Sequence, residues 1–158
     1  MGYRSDIRIV TSKEGFEKLQ EFVRNHLRKN KENYNLLEEC DIKQEGKNQC
    51  YFGWNYVKWY EHDYPEVVAI MEGLNHLGEN EYSYRYMRIG ESYDDIEEQY
   101  YDGEKENEID LEYPNMLREF DDEYIIQSIQ EKATINKEEN KETIDIWVFM
   151  MKYCQVLV

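Results

Sequence analysis

The chain has 158 residues, the length of one domain, and its 35 Asp and Glu against 19 Lys and Arg give a formal charge of −16. That balance argues against direct nucleic-acid binding, which needs a basic surface. Mean hydropathy of −0.94 pulls toward disorder, yet 15% aromatic content, with 15 Tyr and 3 Trp, is the opposite of an aromatic-poor disordered composition, so we read one folded domain over 1–158.

Ile7, Ile9 and Thr11 alternate with Arg8 and Val10, the pattern of a first strand, and Thr11 with Glu14 forms a capping box that predicts a helix next. Phe16, Leu19, Val23 and Leu27 make one apolar stripe on that helix, and basic residues gather toward its end near Asn30, where the dipole favours them. The aromatic run over 50–60 predicts a second strand, paired with a weaker one at 39–44 across the Glu45-Gly46-Lys47-Asn48 turn. Asp63 with Glu66 gives another capping signal, with Pro65 in the first turn. Val67, Ile70, Met71, Leu74 and Leu77 then mark a helix closed by Gly78, and Tyr82, Tyr84 and Tyr86 lie on one side of a strand that breaks at Gly90. No internal repeat is evident.

This order predicts an α+β fold: an antiparallel sheet with two helices on one face, in a ferredoxin-like split β-α-β layout. Later elements are expected to extend the same sheet. They are a short helix carrying Met116, Leu117 and Phe120 after Pro114, then two C-terminal strands, 124–135 and 143–157, joined by the polar loop 136–142.

Between these parts lies an acidic segment. Residues 91–123 hold 15 Asp or Glu against only Lys105 and Arg118, a net of −13. Asp102, Glu104, Glu106, Glu108, Asp110 and Glu112 fall at every second position, which in an extended chain puts six carboxylates on one face. Asp94 and Glu98 add charge at its start, and Tyr100, Tyr101 and Tyr113 are candidate desolvated anchors. The bland counterpart is a solvated, charged edge strand that blocks aggregation.

Catalytic chemistry finds little support. His26, His62 and His76 stand apart from any HExxH, and no serine sits in a GxSxG elbow. Neither GxGxxG nor a Walker A loop is present, and the acids lack EF-hand order. Cys40, Cys50 and Cys154 are odd in number with no zinc spacing, which indicates free thiols rather than disulfides or a metal. No cofactor is expected. The polar N-terminus and an apolar tail from Ile144 to Val158, too short to span a bilayer and interrupted by Lys152 and Gln155, imply no membrane association and a cytoplasmic setting.

The opening Met1-Gly2-Tyr3-Arg4-Ser5-Asp6-Ile7 resembles the start of a set of small, largely uncharacterised acidic proteins carried by bacteriophages and prophages. Val57-Lys58-Trp59-Tyr60 before the helix with Val67, and Arg88-Ile89-Gly90-Glu91 before Asp94-Asp95-Ile96-Glu97, are similar to the same group. The resemblance implies a phage setting, in the host cytoplasm, where small acidic proteins bind and block host machinery. The expected function is therefore a non-enzymatic binding protein that masks a basic, nucleic-acid-binding surface of a host protein. Its concrete form is an anti-defence inhibitor, of the anti-CRISPR kind, that mimics nucleic acid before a nuclease. Two alternatives stand beside it: a small-ligand or metal-binding module, and a structural protein that self-assembles, as a homodimer for example, through an exposed sheet edge.

Overall fold

The computed structural model describes residues 2–154, with side chains through Lys152. It is α+β: a five-stranded antiparallel sheet of β1 (Ser5–Ser12), β2 (Ile42–Glu45), β3 (Gln49–Val57), β4 (Tyr84–Gly90) and β5 (Ile96–Tyr101), in the order β2-β3-β1-β4-β5. Helix α1 (Lys13–Lys29) follows β1, α2 (Pro65–Glu79) follows β3, and α3 (Asp122–Cys154) closes the described chain. The central strand β1 pairs with β3 on one side and β4 on the other, because its two faces are both apolar enough to be covered.

Helices α1 and α2 share one face of the sheet. Phe16, Leu19, Val23 and Leu27 of α1 and Val67, Ile70, Leu74 and Leu77 of α2 pack on Ile7, Ile9, Phe52, Trp54 and Tyr86. Fully burying a side chain of this kind stabilises by roughly 1.5–3 kcal/mol, so this face dominates the fold. The opposite face is smaller: Val10, Tyr51 and Met87 meet Ile125 and Ile129 of α3, with Leu111, Met116 and Phe120 against them.

Both expected caps move by one residue. Ser12, not Thr11, is the N-cap of α1 and accepts the Gly15 amide at 2.9 Å; it is the last residue of β1, and Thr11 lies one place further back in the strand. Pro65 occupies the first helical position, which makes Tyr64 the N-cap residue and leaves Asp63 outside; the Tyr64 side chain makes no capping bond. At their C-termini the two helices end alike. Asn30 and Asn80 each donate from Nδ2 to the carbonyl of His26 and His76 at 2.8 Å, and Lys31 and Glu81 turn the chain at φ 58° and 64°. The amides of Glu32 and Tyr82 then reach back to Leu27 and Leu77 at 2.9 Å, the Schellman arrangement. The tripeptide Asn-His-Leu precedes both termini, at 25–27 and 75–77, and supplies the two carbonyls that each terminus uses.

The C-terminal strand extension is overturned. Residues 124–135, 136–142 and 143–154 form one 33-residue helix, α3; the part of the expected strand from 155 on lies outside the described residues. No Gly or Pro interrupts it, the supposed loop is rich in Lys and Glu that favour helix, and Ile125 and Ile129 are one turn apart on the buried side. The short helix at 116–120 is instead a tight reversal in which Met116 bridges Phe120 and Arg118 takes φ 67°.

Candidate electronegative interface

The alternating acids do not form a strand. The regular edge strand is β5, one step earlier, and the sheet ends at Tyr101; Glu104–Glu106 makes a single 3-10 turn and 107–121 runs irregularly over the second face. Three contacts fix this course. The Gly103 amide donates to Ser83 Oγ at 2.9 Å, and a Cβ there would collide with the Glu81 carbonyl. The Ser83 amide donates to Glu106 Oε1 at 2.6 Å, which draws that carboxylate inward to 6% exposure. Gln49 and Glu112 exchange two bonds, Gln49 Nε2 donating to the Glu112 carbonyl and the Glu112 backbone amide to Gln49 Oε1, both at 3.0 Å. An extended row of like charges would repel along its length, whereas the observed path turns one acid inward.

The segment's end is locked by Arg8. Its Nε and Nη2 bond Asp122 Oδ1 and Oδ2 at 2.8 Å, Nη2 reaches Asn55 Oδ1 at 2.6 Å, and Nη1 reaches the carbonyls of Ile7 and Trp54 at 2.8 and 3.1 Å. All five guanidinium donors are therefore used. Tyr51 donates to Asp122 Oδ1 at 2.6 Å, and Phe120 stacks under the guanidinium at 4.8 Å. Burial opposes the Arg8 charge, but the hydrogen-bonded Asp122 outweighs it and raises its pKa. Gly53 makes room for Arg8, since a Cβ there would strike the Ile7 carbonyl and the Arg8 side chain.

The predicted site residues divide accordingly. Glu98 pairs with Arg85 at 2.7 Å, and Glu112 pairs with Lys132 while accepting from Ser128 Oγ at 3.0 Å; the Lys132 and Ser128 bonds hold the Glu112 pKa below its ordinary value. Glu106 is the buried anchor just described. Tyr101 donates to Glu81 at 2.9 Å and packs against the core. Asp94, Asp102, Glu104, Glu108 and Asp110 are exposed, and among the described residues none of these five makes an ion pair. Tyr100 and Tyr113 are 63% and 45% exposed, and the Arg85 guanidinium sits 5.1 and 3.4 Å from their ring centres. This groups two aromatic rings and a cation on the outer side of β4 and β5.

Three exposed apolar residues lie outside the expected site residues. Tyr93 and Leu117 are 83% and 80% exposed, brought together because Arg118 donates to the carbonyls of Ser92 and Tyr93 at 2.7 and 2.9 Å. Tyr124 is exposed at the start of α3. Nothing periodic marks them. Asp95 lies outside the expected site: Arg88 at 2.7 Å and the Tyr3 hydroxyl at 2.5 Å hold its pKa below the ordinary value.

A concavity of about 700 Å³ runs along the outer side of α1 and α2. There Phe22 stacks between His26 and His76, at 5.8 and 4.8 Å between ring centres, and His26 Nε2 lies 2.7 Å from Glu72. Its size suits a small ligand, but His26 and Glu72 are already engaged with each other. Among the described residues no group of three or more His, Cys, Asp or Glu is placed to hold a metal, and no helix is long and apolar enough to cross a membrane. Burial pushes the Cys40 and Cys50 thiols up to about 12, which keeps them protonated and unreactive. Comparison of the chain with protein-family models, with curated proteins and with solved structures returned no match.

Proposed function

We propose that the chain is a non-enzymatic, phage-type binding protein that masks a basic, nucleic-acid-binding surface of a host protein, in concrete form an anti-defence inhibitor of a nuclease. The observation that carries this reading is the set of exposed acids without ion pairs, Asp94, Asp102, Glu104, Glu108 and Asp110, beside the exposed rings of Tyr100 and Tyr113. Charge of one sign draws a basic partner over long range and raises the association rate. Tyrosine supplies the desolvated contact that charge alone does not. In this reading Glu98, Glu106, Glu112 and Tyr101 hold the surface in shape rather than touch the partner. The fold belongs to the proposal as well: the order β2-β3-β1-β4 with α1 and α2 on one face reads as a ferredoxin-like split β-α-β layout to which β5 is added.

The test is affinity capture from a bacterial lysate at low and high salt, with the parent beside a variant carrying D94N, D102N, E104Q, E108Q and D110N. A nucleic-acid-binding protein retained by the parent, released by salt, displaced by duplex DNA or RNA and lost from the variant is the expected result. Association with the purified partner should slow by roughly tenfold or more at low salt. A partner held equally by both chains would remove the acids from the site.

A further inference from the structure

Helix α3 is far longer than the body it packs on. Its 33 residues extend about 50 Å at 1.5 Å per residue, yet contact with the sheet ends early, where Ile129 and Ile125 are buried and Gln130 bonds Gln44 at 3.3 Å. Every residue from 137 to 152 is exposed, so roughly 24 Å of helix stands clear of the body. Solvated helices carry polar residues there, and 137–142 does. The end does not: Ile144, Ile146, Trp147, Val148, Met150 and Met151 are 49–65% exposed.

The orientation of this end is not random. Glu131, Glu138, Asp145 and Lys152 recur every two turns on one side, the side away from Ile125 and Ile129. Trp147 and Met150 continue the side that carries those buried residues. Between the two, that side carries Lys132, Asn136, Asn140 and Thr143, so its apolar residues fall in two separate stretches; the body covers the first, and the second is an apolar stretch of the kind that is ordinarily covered.

We propose that the covering surface is the same helix end of a second copy, the two α3 termini pairing antiparallel over 144–152 in a two-fold symmetric dimer. Two observations select this occupant. The first is charge: residues 137–152 hold three lysines and four acids, a near-neutral stretch on a chain of −16. Two such chains repel at their bodies, but bodies set at opposite ends of an antiparallel pair are separated by more than two Debye lengths of about 8–10 Å. A parallel pair would bring the acidic bodies together, and the near-neutral end offers a basic protein nothing to prefer over the acidic face. The second is area: the six apolar residues expose on the order of 700 Å² in all, an upper limit on what each copy can bury and of the same order as the roughly 800 Å² that each partner of a standard interface contributes. Pairing one copy with another uses an equal patch on each.

The experiment is sedimentation equilibrium of the full chain from low to high micromolar concentration, with W147E/M150E and the milder W147A beside it. The expected result is a reversible dimer of twice 19.4 kDa, a W147A dissociation constant raised at least tenfold, and a W147E/M150E chain that stays monomeric with unchanged unfolding of the body. Small-angle scattering of the dimer should give an elongated particle with two separated bodies. A parent that is monomeric at every concentration overturns the proposal, as does a dimer of undiminished strength in W147E/M150E, or a compact particle. Co-sedimentation of the parent with phosphatidylcholine and phosphatidylglycerol vesicles, abolished by W147E/M150E, would assign the helix end to a lipid surface instead.

Discussion

On the helical face of the sheet, Leu19, Val23, Ile70 and Leu74 meet Ile7, Ile9, Phe52 and Trp54 in an almost wholly apolar contact. On the other face the apolar contact is a handful of residues, and the covering chain is tied by polar bonds at Glu106, Gln49 and Arg8. An apolar contact spreads its stabilisation over many small contributions and tolerates the loss of one. Point attachments do not. The second face, which carries the acids and the start of α3, is therefore the one that single substitutions can release while the helical face stays folded.

The largest effect is expected at Arg8. R8M removes all five donors and leaves the Asp122 carboxylate half-buried with only the Tyr51 hydroxyl, a loss of about 3–5 kcal/mol for breaking a buried pair from one side. Urea unfolding gives the magnitude, and limited proteolysis tells the faces apart: cleavage within 102–121 should precede loss of the body. Simultaneous loss of both would make the two faces one cooperative unit. The double variant R8M/D122L removes the orphaned charge and should recover most of the stability.

A smaller effect separates two neighbours in the acidic segment. E106A deletes a carboxylate that accepts the Ser83 amide in a buried position, expected to cost about 1.5–3 kcal/mol. E104A removes an exposed acid without an ion pair, and its cost should stay within about 0.5 kcal/mol. Hydrogen exchange at the Ser83 amide should quicken in E106A and remain slow in E104A. Equal effects would mean that the inward turn of Glu106 does not hold the segment.

The same division governs what the sequence makes legible. α1 and α2 are written in local periodicity, because each buries one stripe against a single apolar surface, and β1, β3 and β4 in runs of apolar and aromatic residues that are covered on both faces; their order predicts the sheet and its helices. Glu106 is different. Its inward turn depends on Ser83, far away in sequence, and alternation of charge carries no trace of that bond. β5 is hidden for a related reason: Glu97 and Glu98 look like part of a solvated acidic run until Arg88 and Arg85 on the neighbouring strand neutralise them. In α3 the β-branched and aromatic residues suggest strands, but an unbroken run of helix formers with no Gly or Pro prevails. Of the proposed surface, the exposed acids and Tyr100 and Tyr113 can be picked out by composition alone; Tyr93, Leu117 and Arg85 cannot, since only the fold brings them there.

The smallest expected effect concerns pH. Asp95 is held below its ordinary value near 3.8 by the Arg88 and Tyr3 bonds, and Glu112 below its ordinary value near 4.5 by Lys132 and Ser128. For both groups the unfolded chain binds protons more readily than the folded one, so stability rises with pH across the interval between the two states' pKa values. The contribution is fully present above the unfolded values and is lost as pH falls through the depressed folded ones. Both carboxylates are partly open to solvent, so salt screens the effect and it remains small. Unfolding followed between pH 6 and pH 2 should show K132M matching the parent more closely at the acid end than at neutral pH, because the Glu112 pair no longer contributes in either chain there. A constant gap between K132M and the parent across that range would mean that Lys132 stabilises α3 through its helix alone, leaving Glu112 tied to α3 through Ser128.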